Sequence, residues 1–188
     1  RRWGSDPGSL SLFATVIERL GDAKGEAWLQ GVVNNMARAP KGGDTDQIKA
    51  VASGECAVAL TNSYYMARLV KSDKPEDRAV VDKVRVVFPN QGTSGTHLNI
   101  AGAAAAKHAK NTDNAVKFLE YLASPSAQNY FANGNNEWPV AKGVNTDNPA
   151  LKSMTGGSGQ FKSETIPISA VGANQVKVQQ MLDRVGFK

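Results

Sequence analysis

Gly54-Glu55-Cys56-Ala57-Val58-Ala59-Leu60-Thr61-Asn62-Ser63-Tyr64-Tyr65 is the stretch on which the fold of this chain turns. From Cys56 to Thr61 it is short, apolar and flanked by turn-forming residues, which predicts a buried strand. Asn62-Ser63 breaks the run, and Tyr64 to Lys71 reads as a helix. A strand giving way to a helix sets Tyr64 and Tyr65 at the strand's carboxyl end, where open α/β sheets bind ligands. The helix start adds free N–H groups and the positive end of a dipole, both of which favour an anion.

Strands and helices alternate outward from this centre. On the amino-terminal side, Asp44 or Thr45 caps a short helix carrying Ile48, Val51 and Ala52, and Gly54 ends it. Before the turn at Pro40–Asp44 lies a helix from about Ala23 to Val33. Before that, Leu10, Phe13, Ile17 and Leu20 mark one face of a helix from Ser9, its N-cap, to the stop at Gly21. On the carboxyl-terminal side, a charged loop with Pro75 leads to strands at Val84–Phe88 and His97–Ala101. Helices follow at Asn114–Leu122 and Ser126–Asn133, then a flexible loop at Thr155–Gly159. A last helix runs from Ala170 to Val185 and stops at Gly186. This order predicts an α/β fold with a mixed or parallel sheet.

Composition narrows the chemistry. Apolar residues make up 41% and charged residues 21%, so a packed core is expected rather than disorder. The 22 Lys and Arg against 17 Asp and Glu give a net charge of +5, but the charges are scattered. No basic run is interleaved with aromatics, so nucleic acid is not an expected partner. No apolar run approaches the length of a membrane span. Cys56 is the single cysteine and is expected to be a buried, unpaired thiol; His97 and His108 are the two histidines. Most zinc and nucleophilic mechanisms therefore lack parts. There is no GxxxxGK[ST], GxGxxG or GxSxG pattern, and Gly92-Thr93-Ser94-Gly95 has the wrong spacing for a nucleophile elbow. An enzyme is not expected. With no signal peptide and no initiator Met, the chain reads as processed, truncated or trimmed.

What remains is the pair of adjacent phenols, in a chain with four tyrosines. One reading makes Tyr64 and Tyr65 ordinary half-buried aromatics. The other makes them metal ligands. A phenol with a reference pKa of about 10 is neutral in water, but a bound cation stabilises the phenolate. Phenolate is a hard anionic oxygen donor, matched to Fe(III) rather than to soft metals.

The run from Gly54 to Tyr65 resembles the iron-site segment of bacterial periplasmic ferric-binding proteins, the solute receptors of ABC iron importers. The resemblance continues through Ala37–Gln47, Val87-Phe88-Pro89-Asn90-Gln91, Asn114–Phe131, Glu137-Trp138-Pro139-Val140 and Gly159-Gln160-Phe161-Lys162. It implies a type II periplasmic-binding-protein fold, a two-lobed venus-flytrap lacking much of the first lobe. Residues 1–87 would form the second-lobe core, 88–145 a hinge and first-lobe-type segment, and 146–188 the return to the second lobe. Tyr64 and Tyr65 match the metal-binding pair. Asn62, Ser9, Arg38 and Asp44 are the candidates for holding an anion or supporting the site, although Ser9 reads more readily as a plain N-cap. The implied cargo is ferric iron with a synergistic anion, the implied partner an ABC permease, and the implied location the periplasm.

Two departures stand out. Gly8 occupies the place where one branch of the family has a further Tyr ligand, and His97 and His108 do not match the family's first-lobe ligands. With much of the first lobe absent, the segment 88–145 would leave apolar residues such as Phe118, Leu119 and Phe131 short of cover, implying self-association or a mobile segment. A receptor for another small solute, an anion or polyamine, and a non-binding structural α/β domain remain the alternatives.

Overall fold

The computed structural model describes residues 7–187. In chain order the helices are α1 (Pro7–Leu20), α2 (Asp22–Asn34), α3 (Asp44–Ser53), α4 (Ser63–Val70), α5 (Pro75–Val81), α6 (Thr112–Leu122), α7 (Pro125–Tyr130), α8 (Pro149–Met154) and α9 (Ile168–Arg184). A π-helical turn at Phe131–Asn135 extends α7. The chain divides into two compact units. One contains residues 7–61, 88–99 and 162–187, the other residues 62–87 and 100–161. The cuts fall at 61/62, 87/88, 99/100 and 161/162.

The first unit is built on α1, α2 and α9. Phe13, Ala14 and Ile17 of α1 pack with Leu29 of α2 and with Val178, Met181 and Leu182 of α9, all buried. Burying a side chain the size of Leu or Phe contributes about 2 kcal/mol. Phe13 meets Phe187 edge-on, with ring centroids 5.4 Å apart. Gly21, at φ 77°, is a single-residue link between α1 and α2. Gly25 lets the two helices close together, because a Cβ there would lie 2.8 Å from Cγ1 of Ile17.

Several helix ends differ from the sequence expectation. Helix α1 begins two residues before Ser9, with proline at the first position, where its missing N–H costs nothing. Ser9 is therefore a first-turn residue, not the N-cap. Gly43, rather than Asp44 or Thr45, caps α3; its N–H donates to the Asp46 carboxylate at 2.7 Å. Gly54 closes α3 in the left-handed conformation, as its sequence position predicts. Pro75 opens the short helix α5, with Glu76 and Asp77 in the first turn, in place of the expected loop.

The three predicted strands do not pair among the described residues. Residues 56–61, 84–88 and 97–101 form no ladder, and Val58 and Val87 are 77% and 79% exposed. Apolar side chains predict a strand only where a neighbouring strand takes up the backbone groups. Here one parallel bridge forms, at Thr96 and Ser163, with Thr96 N–H donating to Lys162 C=O at 2.8 Å and Glu164 N–H to Thr96 C=O at 2.9 Å. Gln91 extends it with a side-chain amide that donates to Lys162 C=O and accepts from Lys162 N–H. Gly95, at φ 89°, must be glycine, since a Cβ would sit 2.5 Å from the Ser163 carbonyl.

In the second unit, Ala67 of α4 packs with Ala150 and Leu151 of α8, and Val70, Trp138 and Met154 close the cluster. Asn148 is buried beside it. Its Nδ2 donates to Ala132 C=O and to Asn136 Oδ1, and its Oδ1 accepts from Ala150 N–H. Asn136 ends the π-helical turn at φ 62°. Phe118 is exposed, whereas Leu119 and Phe131 are half-buried.

Candidate functional site

Tyr64 and Tyr65 lie in the first turn of α4. Asn62 precedes the helix in extended conformation, and its carbonyl accepts from Tyr65 N–H at 3.3 Å. Met66, Ala67 and Leu69 are buried and hold the helix in place. Both tyrosines are half-buried, and their rings lie 4.4 Å apart, tilted by 32°. Arg68 follows Tyr64 by four residues and Tyr65 by three, the spacings that meet on a helix. Its guanidinium carbon lies 5.1 Å from the centroid of each ring. One cation thus faces two aromatic rings, a cation–π arrangement.

The start of α4 has a second anchor. The Trp138 indole N–H donates to Ser63 Oγ at 3.1 Å, and the indole packs edge-on against Phe161, with centroids 5.1 Å apart.

Of the supporting candidates, Asn62 belongs to the same unit as the tyrosines, while Ser9, Arg38 and Asp44 belong to the other. Ser9 is half-buried in α1, and Asp44 is the first residue of α3. Arg38 forms a two-point ion pair with Glu55 through Nε and Nη2. The hydrogen bonds from Arg38 hold the Glu55 carboxyl below its ordinary range, and Glu55 raises Arg38 in return. Arg38 lines an open concavity together with Lys41, Asp46, Lys49 and Glu55.

His97, which matched no family ligand, sits in a polar cluster within the first unit. Its Nδ1 makes a short contact with Glu164 Oε1, and its Nε2 lies 3.0 Å from Ser11 Oγ. Arg19 bonds the other Glu164 oxygen at 3.2 Å. Ser11, Thr15 and Arg19 recur every fourth residue, so α1 turns a polar stripe toward this cluster and an apolar one toward α2 and α9. His108 is exposed in a turn before α6. Cys56 is unpaired but half-buried rather than buried, because the segment around it has no strand neighbour. Among the described residues, no group of three or more His, Cys, Asp or Glu is arranged to hold a metal.

The pattern of the family described as bacterial extracellular solute-binding protein matches residues 8–155. The chain belongs to that family. Iron uptake protein A2 of Synechocystis is 47% identical over 182 residues, covering 96% of this chain and 51% of that protein. A Trichodesmium protein, IdiA or FutA, in complex with iron and citrate ligands superposes with a TM-score of 0.90 at 48% identity, over 98% of this chain and 57% of that one. Apo FutA2 from Synechocystis gives 0.90 at 46% identity, over 98% and 58%. The chain spans about half the length of the curated relatives it matches.

The expected fold class stands: this is the type II solute-binding fold of these neighbours, in a helix-rich form. The family is one of solute-binding proteins, and the relatives matched are named for iron uptake and ferric-iron binding. No described helix is long and apolar enough to cross a membrane.

Proposed function

We propose that this chain carries the tyrosine portion of a ferric-iron receptor that works in the periplasm and delivers its cargo to an ABC permease. The observation that carries the proposal is the stacked Tyr64–Tyr65 pair under Arg68 at the start of α4, in a chain whose relatives are named for iron uptake and ferric-iron binding. Each phenol gives up its proton on binding Fe(III), and each phenolate supplies a hard oxygen donor. Arg68 offsets part of the negative charge. Asn62, in the same unit as the pair, is the proposed polar support, with a small carboxylate anion such as citrate filling further positions. Donors from outside this chain would complete the coordination shell in a full-length receptor.

Addition of ferric citrate should produce a visible phenolate-to-iron charge-transfer band. Tyr64→Phe and Tyr65→Phe keep the rings and remove the donors. Loss of a neighbour of a metal ligand alone costs ten- to a hundredfold, so each variant should lower ferric affinity by roughly a hundredfold or more. Because binding releases protons, affinity should fall as pH falls. An unchanged band in the double variant would refute tyrosine ligation. A chain that binds an anion or polyamine but develops no band would favour a receptor for another solute.

A further inference from the structure

We infer that Trp138 is a positioning residue for the tyrosine pair, acting through Ser63. This inference rests on the proposed function for its consequence but on separate geometry for its cause. Helix α4 has no side-chain hydrogen bond from its N-cap, Asn62, to the first turn, the device that ordinarily fixes a helix start. The two residues that follow Ser63 are the phenols, so any fraying of this turn moves both oxygens. The indole N–H of Trp138 bonds Ser63 Oγ at 3.1 Å across 75 residues of sequence. The indole itself is held by Phe161 and by the cluster of Ala67, Ala150 and Leu151, with Ala67 on α4 itself. The donor is therefore fixed from both sides, and the bond ties the first turn of α4 to the body of its unit.

An indole N–H is a donor only, whereas a serine hydroxyl also accepts. The interaction can therefore be cut from either end: Trp138→Phe keeps an aromatic ring and removes the donor, while Ser63→Ala removes the acceptor and Ser63→Thr keeps it. One neutral hydrogen bond corresponds to about a fivefold change in an equilibrium. Competition of the whole chain against citrate for ferric iron should show that loss in W138F and in S63A. It should show no larger loss in the double variant, and recovery toward the parent in S63T. A merely structural role would give independent, additive losses and no rescue by threonine.

The second arm uses the metal-free chain. Its near-ultraviolet circular dichroism reads the coupling of two phenols 4.4 Å apart. S63A should weaken the tyrosine signal and S63T should keep it, with far-ultraviolet spectra unchanged in both. If the parent binds no iron, the proposed function fails, and this second arm alone decides the positioning role. Parent-like iron competition in W138F and S63A, or a parent-like near-ultraviolet spectrum in S63A, overturns the inference.

Discussion

Charge at single side chains gives a direct pH test. The hydrogen bonds from Arg184 hold the Glu26 carboxyl below its ordinary value of 4.5, and those from Arg38 do the same for Glu55. A depressed carboxylate stabilises the fold above its unfolded value, and that contribution is lost as pH falls through the folded value. Both pairs are exposed, so the effect on stability is small and screened by salt. Carboxyl resonances of Glu26 and Glu55 should titrate below the ordinary glutamate value, and Arg184→Gln and Arg38→Gln should return them to the ordinary range. Titration unchanged by these replacements would show that the pairs do not persist in solution. Arg68 lies at helical spacing from both tyrosines and could have been found in the sequence by that rule. Trp138 and Glu164 could not, because their partners Ser63 and His97 are 75 and 67 residues away.

Among the elements, the helices were legible and the strands were not. Spacings of three and four residues located α1, and α2, α6 and α9 were also read as helices, because a helix makes its hydrogen bonds within itself. Cys56–Thr61 and Val84–Phe88 have the composition of strands, but a strand depends on a neighbour that local sequence does not name. Helix α8 was missed, since its six residues are too few for a periodic pattern. Its markers, Asn148 as N-cap and Pro149 after it, are both present. The junction of α1, α2 and α9 should carry much of the stability of its unit. Leu182→Ala, at a fully buried position, should cost about 2–5 kcal/mol. Gly25→Ala should also destabilise, although alanine is the better helix former, because the added carbon meets Ile17. Urea denaturation followed by helical circular dichroism measures both; a stabilising Gly25→Ala would mean that α1 and α2 pack more loosely than described.

For the whole molecule, the exposed apolar side chains have a consequence in solution. Val58 and Leu60 are exposed in one unit, and Val87, Ile100, Phe118 and Tyr121 in the other. Extended segments with unpaired edges and apolar side chains favour pairing with another chain. Sedimentation of this chain, at concentrations on the order of tens of micromolar, should show self-association. Val58→Lys with Val87→Lys should shift it toward the monomer. A monomer at every concentration would show that these faces are too dispersed to act together.

The placement of Trp138 also gives the molecule an optical reporter. Its indole is hydrogen-bonded to the residue immediately before Tyr64, so its excited state lies next to the proposed phenolate chromophore. A ferric–phenolate band that overlaps indole emission would accept that energy without radiation. The same side chain that steadies the tyrosines would then dim as iron arrives and brighten as it leaves, so loading could be followed by emitted light on the intact chain without any label.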